Sequence, residues 1–109
     1  MNSSRFLCHV DEIPEVGAHG IAAEDDPAGI GLILLRHGDH VVAYYNECPH
    51  AGRMLDYVPG KFLVRGGCIV CAAHGATYTT ESGACVGGPC RSGLVAVPIE
   101  VLDGEVHLR

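Results

Sequence analysis

The chain has 109 residues, 48% of them hydrophobic and none of them Trp, which suits one compact domain with an aliphatic core and is too short for two. Seven Lys and Arg against thirteen Asp and Glu give a formal net charge of −6, which excludes nucleic acid as the natural partner, because phosphate binding needs basic patches. No stretch approaches the roughly 18 apolar residues of a membrane span, so a membrane protein is not expected either.

The start, MNSSRFLCHVDEIPEVG, turns acidic before any apolar signal-peptide core can form, and the expected compartment is the cytoplasm. Thiols stay reduced there, so six cysteines point to metal ligands more than to disulfides.

In chain order, RFLCHV reads as a first strand ended by the turn DEIP, and GAHGIAA as a short second one. EDDPAG is a loop. IGLILLR and HVVAYYN are two strands of a hairpin turning at HGD. KFLVR and CIV pair around Gly66-Gly67, a favoured two-residue turn. ATYTTESGACV folds back on itself, with Gly83 available for a positive φ. LVAVPIEVL and EVHL close the chain around Asp103-Gly104. No long segment has a helical period, so the expectation is an all-β chain, a small antiparallel sandwich or barrel.

Two stretches carry chemistry. NECPHAGRML holds Cys48-x-His50, and CIVCAAHGATY holds Cys71-x-x-His74. Both pairs fall just beyond strand ends, where loops on a rigid scaffold can present them. Thiolate and imidazole together suit zinc, copper and iron–sulfur centres, so the residue types alone leave the metal open. A structural zinc site with these four ligands is one reading.

The flanking residues narrow the choice. CPHAG, then CAAHGATY, then a hairpin with Gly83 and the GGPC loop, resemble the Rieske iron–sulfur family. The match takes in Cys48, His50, Gly52, Cys71, His74, Gly75, Tyr78, Gly83 and Pro89. DEIPEVG, GDHVVAYYNECPH and SGLVAVPIEVLDGEVHL extend it over nearly the whole chain, from about residue 5. The resemblance implies the Rieske fold: a basal antiparallel β-barrel from residues 1–45 and 91–109, with a cluster-binding subdomain, 46–90, inserted into it. It implies one [2Fe-2S] cluster, with Cys48 and Cys71 on one iron and His50 and His74 on the other. Two neutral imidazoles in place of thiolates remove negative charge and raise the potential.

Within the family, the high-potential proteins of cytochrome bc complexes carry a disulfide between the two ligand loops. Arg53 and Ala73 stand at those positions here, so that bridge is absent. Ala76 replaces their serine, while Tyr78 matches their tyrosine. Fewer hydrogen bonds to sulfur imply a lower potential. The resemblance therefore implies a soluble, low-potential ferredoxin passing one electron from a reductase to an oxygenase or other oxidoreductase. It would not be an enzyme by itself, and nothing demands more than a monomer. A small Rieske subunit, like that of nitrite reductase, is the alternative, and a zinc-stabilised interaction domain is a second.

Gly52, Arg53, Ala73, Gly75, Ala76, Tyr78 and Pro89 are expected around the cluster. Arg53 reads either as a partner contact or as a solvated charge. Gly87 and Gly88 are expected to serve loop geometry. Cys8 reads as a core residue, Cys68 as a strand residue beside the site, and Cys85 and Cys90 as apolar thiols in preference to a disulfide. His9, His19, His37, His40 and His107 read as surface histidines.

Overall fold

The computed structural model describes residues 5–15, 17–22, 29–37, 40–47, 55, 62–71, 75–88 and 92–109. Among the described residues ten strands follow in order: β1 (Arg5–His9), β2 (His19–Ile21), β3 (Leu32–His37), β4 (His40–Tyr45), β5 (Leu63–Arg65), β6 (Cys68–Val70), β7 (Thr77–Thr79), β8 (Cys85–Gly87), β9 (Ile99–Leu102) and β10 (Glu105–Leu108). A short 3-10 turn, Val10–Glu12, is the one helical element among the described residues. It follows the first strand directly, and the Glu12 carboxylate accepts the His9 amide at 2.8 Å. All pairings between strands are antiparallel, in three sheets ordered β1-β10-β9, β2-β3-β4 and β5-β6-β7-β8.

The expected hairpins form where the turn residues placed them. Gly66 and Gly67 sit at φ 58° and 77°, and Asp103 and Gly104 at 50° and 77°. Two successive positive φ values match the twist of the flanking strands. One stretch departs from expectation. Residues 94–97 make no regular strand. They lie along the open edge of β4 instead, with Tyr45 N–H donating to Val95 O, Val97 N–H to Ala43 O, and a bridge from Tyr44 to Ala96. Pro98, which has no N–H to donate, breaks the ladder there.

β3 explains how the layers join. Leu32, Ile33, Leu34 and Leu35 are all buried, at most 1% exposed. Alternate side chains of a strand point to opposite faces. Ile33 and Leu35 accordingly pack with Leu55, Ile69, Cys71, Ala76, Tyr78 and Leu94. Leu32 and Leu34 pack with Cys8, Ile13, Val41, Ala43, Val97 and Val106. One continuous apolar run thus serves two cores, and it cannot alternate with polar residues because neither face meets water.

Tyr44 fixes β4 to the turn after β7. Its ring lies in the first of these cores, and its hydroxyl donates to Thr80 O at 3.1 Å. Gly83 beneath it has φ 75°, and a Cβ there would stand 2.7 Å from the Tyr44 ring. Gly93 approaches so closely that its Cβ would lie 2.5 Å from Gly83 O. Both glycines are demanded by contact with backbone or ring, not by turn statistics.

Asn46, next in the chain, is 5% exposed. Its amide donates to Gly31 O at 2.9 Å. Its side-chain Oδ1 accepts the amide of the fully buried Leu55 at 2.7 Å. The two ends of the Cys48 and His50 segment are therefore tied to each other and to the core.

Two measurements test this frame. Asn46→Ala deprives the buried Leu55 amide of this acceptor, and should cost about 1–3 kcal/mol in chemical denaturation. Glu47→Ala, one residue on and exposed, should stay within about 0.5 kcal/mol. Equal effects would remove the brace from the account. The second measurement is alkaline stability. Burial, helped by Glu12, pushes the Cys8 thiol from 9.0 to about 11, and burial with Glu81 raises Tyr44. The unfolded chain releases these protons first. Stability should hold below the unfolded thiol's value of 9.0 and fall as pH rises towards about 11. Cys8→Ala should flatten the early part of that fall.

Candidate metal centre

β6 and β7 pair as Cys68 with Thr79, Ile69 with Tyr78 and Val70 with Thr77. Two more backbone bonds carry the pairing past the strand ends. Cys71 N–H donates to Ala76 O at 2.7 Å, and Gly75 N–H donates to Cys71 O at 2.8 Å. Cys71 thus begins a loop closed at its base, with Gly75 at φ 77° allowing the return. Cys71 is fully buried and forms no disulfide.

Ala76 and Tyr78 are also fully buried, in the same core as Cys71. A methyl group at Ala76 fits this dry layer without asking for a hydrogen-bond partner. The Thr77 hydroxyl donates back to Gly75 O at 3.0 Å, which stiffens the loop exit.

The chain after β8 presses on this loop. Gly88 has φ 78°, and a Cβ on it would fall 2.6 Å from Gly75 O and 2.8 Å from Ala76 Cα. Contacts under 3.0 Å with backbone cannot be relieved by a side-chain rotation, so only glycine fits. The result is a backbone cradle: one buried cysteine on a closed loop, and a glycine turn laid directly on that loop. A small inorganic group held by short loops has the same requirement, close backbone approach with no intervening side chains.

Of the expected site residues, Cys71, Gly75, Ala76 and Tyr78 are brought together. Cys48, His50, Gly52, Arg53, Ala73, His74 and Pro89 lie outside the described residues. The segment with Cys48 and His50 is represented by its two ends, Asn46 and Leu55. Leu55 packs in the same core as Cys71, so both segments that carry a Cys/His pair are rooted in one buried layer.

The remaining candidates sort as follows. Cys8 is buried in the second core, and Cys68 is a half-buried free thiol on β6. A thioredoxin-type reading of Cys68 and Cys71 would need a helix to follow, and β7 follows instead. His9, His37 and His40 are exposed, and His19 and His107 half-buried. His107 shares a hydrogen bond with Glu105 at 3.0 Å, and His37 one with Thr80 at 3.2 Å. Among the described residues no three His, Cys, Asp or Glu side chains gather as a metal site.

The expectation for Cys85 is corrected. It is disulfide-bonded, not an apolar thiol. The sequence reading assumed a reducing compartment, and spacing alone carries no record of oxidation state. Cys90 lies outside the described residues.

A cleft of about 320 Å³ is lined by Glu15, Arg36, His37, Gly66 and Thr80 among others. It borders the turn before β6, whereas Cys71 follows the end of that strand. It is therefore separate from the cradle.

Two relatives and one solved structure of the same fold frame these observations. The chain is 24% identical over 106 residues to the 3-phenylpropionate/cinnamic acid dioxygenase ferredoxin subunit of Photorhabdus laumondii, covering 97% of this chain and 93% of that one. It is 26% identical over 98 residues to the anthranilate 1,2-dioxygenase ferredoxin subunit of Burkholderia cepacia, covering 85% and 87%. A chain in the complex of reduced oxygenase and oxidized ferredoxin in carbazole 1,9a-dioxygenase has the same fold, with a TM-score of 0.79 at 22% identity, covering 96% of this chain and 91% of that one. The family model described as Rieske [2Fe-2S] domain matches residues 3–98. With the all-β sheets, the closed Cys71 loop and the glycine cradle in place, the chain belongs to the Rieske [2Fe-2S] domain family.

Proposed function

We propose that this chain is a Rieske ferredoxin: an electron carrier that takes one electron from a reductase and delivers it to a terminal oxygenase or related oxidoreductase. The observation that carries the reading is the buried Cys71 thiol at the head of a loop closed by two backbone bonds and covered by Gly88. The ferredoxin subunits among its relatives, matched over most of their length, support the same role.

In this reading Cys48 and Cys71 hold one iron of a [2Fe-2S] cluster, and His50 and His74 the other. Cys71 and its core fit such a group, since thiolate and imidazole donors on two short loops suit iron–sulfur ligation. When bound, the cluster supplies a one-electron couple whose potential the two imidazoles raise. The chain's own residues do the rest. Leu55, Ile69, Ala76 and Tyr78 keep water from the Cys71 side. The hydrogen bonds at the loop base hold Cys71 in one geometry, so little rearrangement accompanies electron transfer. Ala76 brings no hydroxyl to the cluster sulfurs, which favours a low potential.

The basal barrel would comprise residues 1–45 and 91–109, and the cluster-binding part 46–90. Carriage, not catalysis, is the role assigned to the chain. Among the described residues no helix is long and apolar enough to cross a membrane. A cytoplasmic setting is part of the proposal.

The test is metal analysis with EPR on anaerobically purified, dithionite-reduced protein. Two irons per chain, as the family's cluster contains, and a signal with the low average g of histidine ligation are expected. One zinc and no signal would replace electron transfer with a structural role. His50→Ala and Cys71→Ala should each abolish the signal, and a full cluster in either variant would refute the ligand assignment.

A further inference from the structure

β3 ends and β4 begins on a histidine. His37 stands opposite His40 in the ladder, and both are exposed. We propose that this pair is a second metal site, a two-imidazole chelate for a divalent ion of the zinc class, separate from the proposed cluster and independent of its ligand assignment.

Register places the two rings together. Tyr45 N–H and Ala43 O bond to residues 95 and 97. β4 therefore turns its alternate positions, His40, Val42 and Tyr44, towards β3. His37 and His40 then form a hydrogen-bonded pair, with Cα atoms about 5.5 Å apart, and direct partners in a ladder share one face. Zinc bonds imidazole nitrogen at about 2.0–2.1 Å, so two nitrogens in tetrahedral geometry sit roughly 3.4 Å apart. Imidazoles on Cβ atoms about 4.5–5.5 Å apart can converge to that spacing.

Thr80 sets the tautomer of His37. Its hydroxyl has one proton, which it donates to Gly67 O at 3.2 Å. The 3.2 Å contact between Thr80 Oγ1 and His37 Nε2 is then made with the proton of Nε2. A neutral ring so protonated carries its lone pair on Nδ1. This is the arrangement of a metal-ligating histidine: one ring nitrogen donates to an oxygen that orients the ring, and the other offers its lone pair. Thr80 is itself 3% exposed, so the orienting oxygen belongs to the packed frame.

The donor set selects the ion. Imidazole suits zinc, copper and nickel, whereas magnesium and calcium take oxygen. Among the described residues no third His, Cys, Asp or Glu joins the pair, so water completes the coordination. Glu15 and Arg36 line the same cleft as His37, one of each charge, which leaves the attraction to the two imidazoles and the net charge of −6. An ion held there clips the hairpin at its turn, and an ion that binds only the folded chain stabilises it by mass action.

The test is a Zn2+ titration of the protein as purified, by isothermal titration calorimetry, with iron content measured before and after. One site per chain and unchanged iron are expected. His37→Asn and His40→Asn should each weaken the site roughly a hundredfold, because the second imidazole no longer binds intramolecularly. His9→Asn, at another exposed histidine, should bind as the wild type does. Thr80→Val should weaken binding roughly tenfold, and Thr80→Ser, which keeps the hydroxyl, should restore it. Zinc uptake that releases iron, or that survives both the His37 and the His40 substitutions, would overturn the chelate. Equal loss in the two Thr80 variants would remove the tautomer from the account.

Discussion

Everything in this fold leans on a strand with no wet face. β3 sends Leu32 and Leu34 one way and Ile33 and Leu35 the other, and all four are buried. Fully burying one such side chain is worth about 1.5–3 kcal/mol. Four of them on one strand outweigh any single hydrogen bond described here, since a neutral one contributes about 0.5–1.5 kcal/mol net. The hydrogen bonds therefore do not hold the layers together. They choose the alignment in which the layers sit, through Tyr44 to Thr80 and through Asn46 to Leu55.

This division of labour suits an electron carrier. Leu55, Ile69, Cys71, Ala76 and Tyr78 share a core with Ile33, Leu35 and Tyr44 of the β3–β4 hairpin. The Cys71 loop thus inherits its rigidity from the hairpin instead of generating its own. Charge shift at a metal centre is cheap when nearby groups need not move, and a dry, close-packed interior moves little.

Much of this was legible in the sequence, for identifiable reasons. LILL is a continuous apolar run, which reads as a buried strand. Gly66-Gly67 and Asp103-Gly104 announce their turns because few residues accept positive φ. The turn back after Cys71 is signalled by Gly75, which follows the Cys71-x-x-His74 spacing. What stayed hidden depends on distant partners. Nothing local in Asn46 reveals that its side chain accepts the Leu55 amide nine residues on, nor in Tyr44 that it meets Thr80 and Gly83. Residues 94–97 look like a strand by composition, and only the occupied edge of β4 turns them into a flanking segment. The disulfide state of Cys85 is chemistry, and composition pointed the other way.

The closure of the Cys71 loop has a consequence for how such proteins diversify. Its base is made of main-chain groups, Cys71 N–H to Ala76 O and Gly75 N–H to Cys71 O, which any sequence possesses. The side chains between the two ends take no part in these bonds. Positions 72 and 73 can therefore be exchanged like a cartridge in a fixed socket, as long as Cys71, the return glycine and His74, a ligand in the proposed function, remain. A lineage built this way could retune its redox partner or potential by small substitutions at those two positions, without renegotiating the fold beneath.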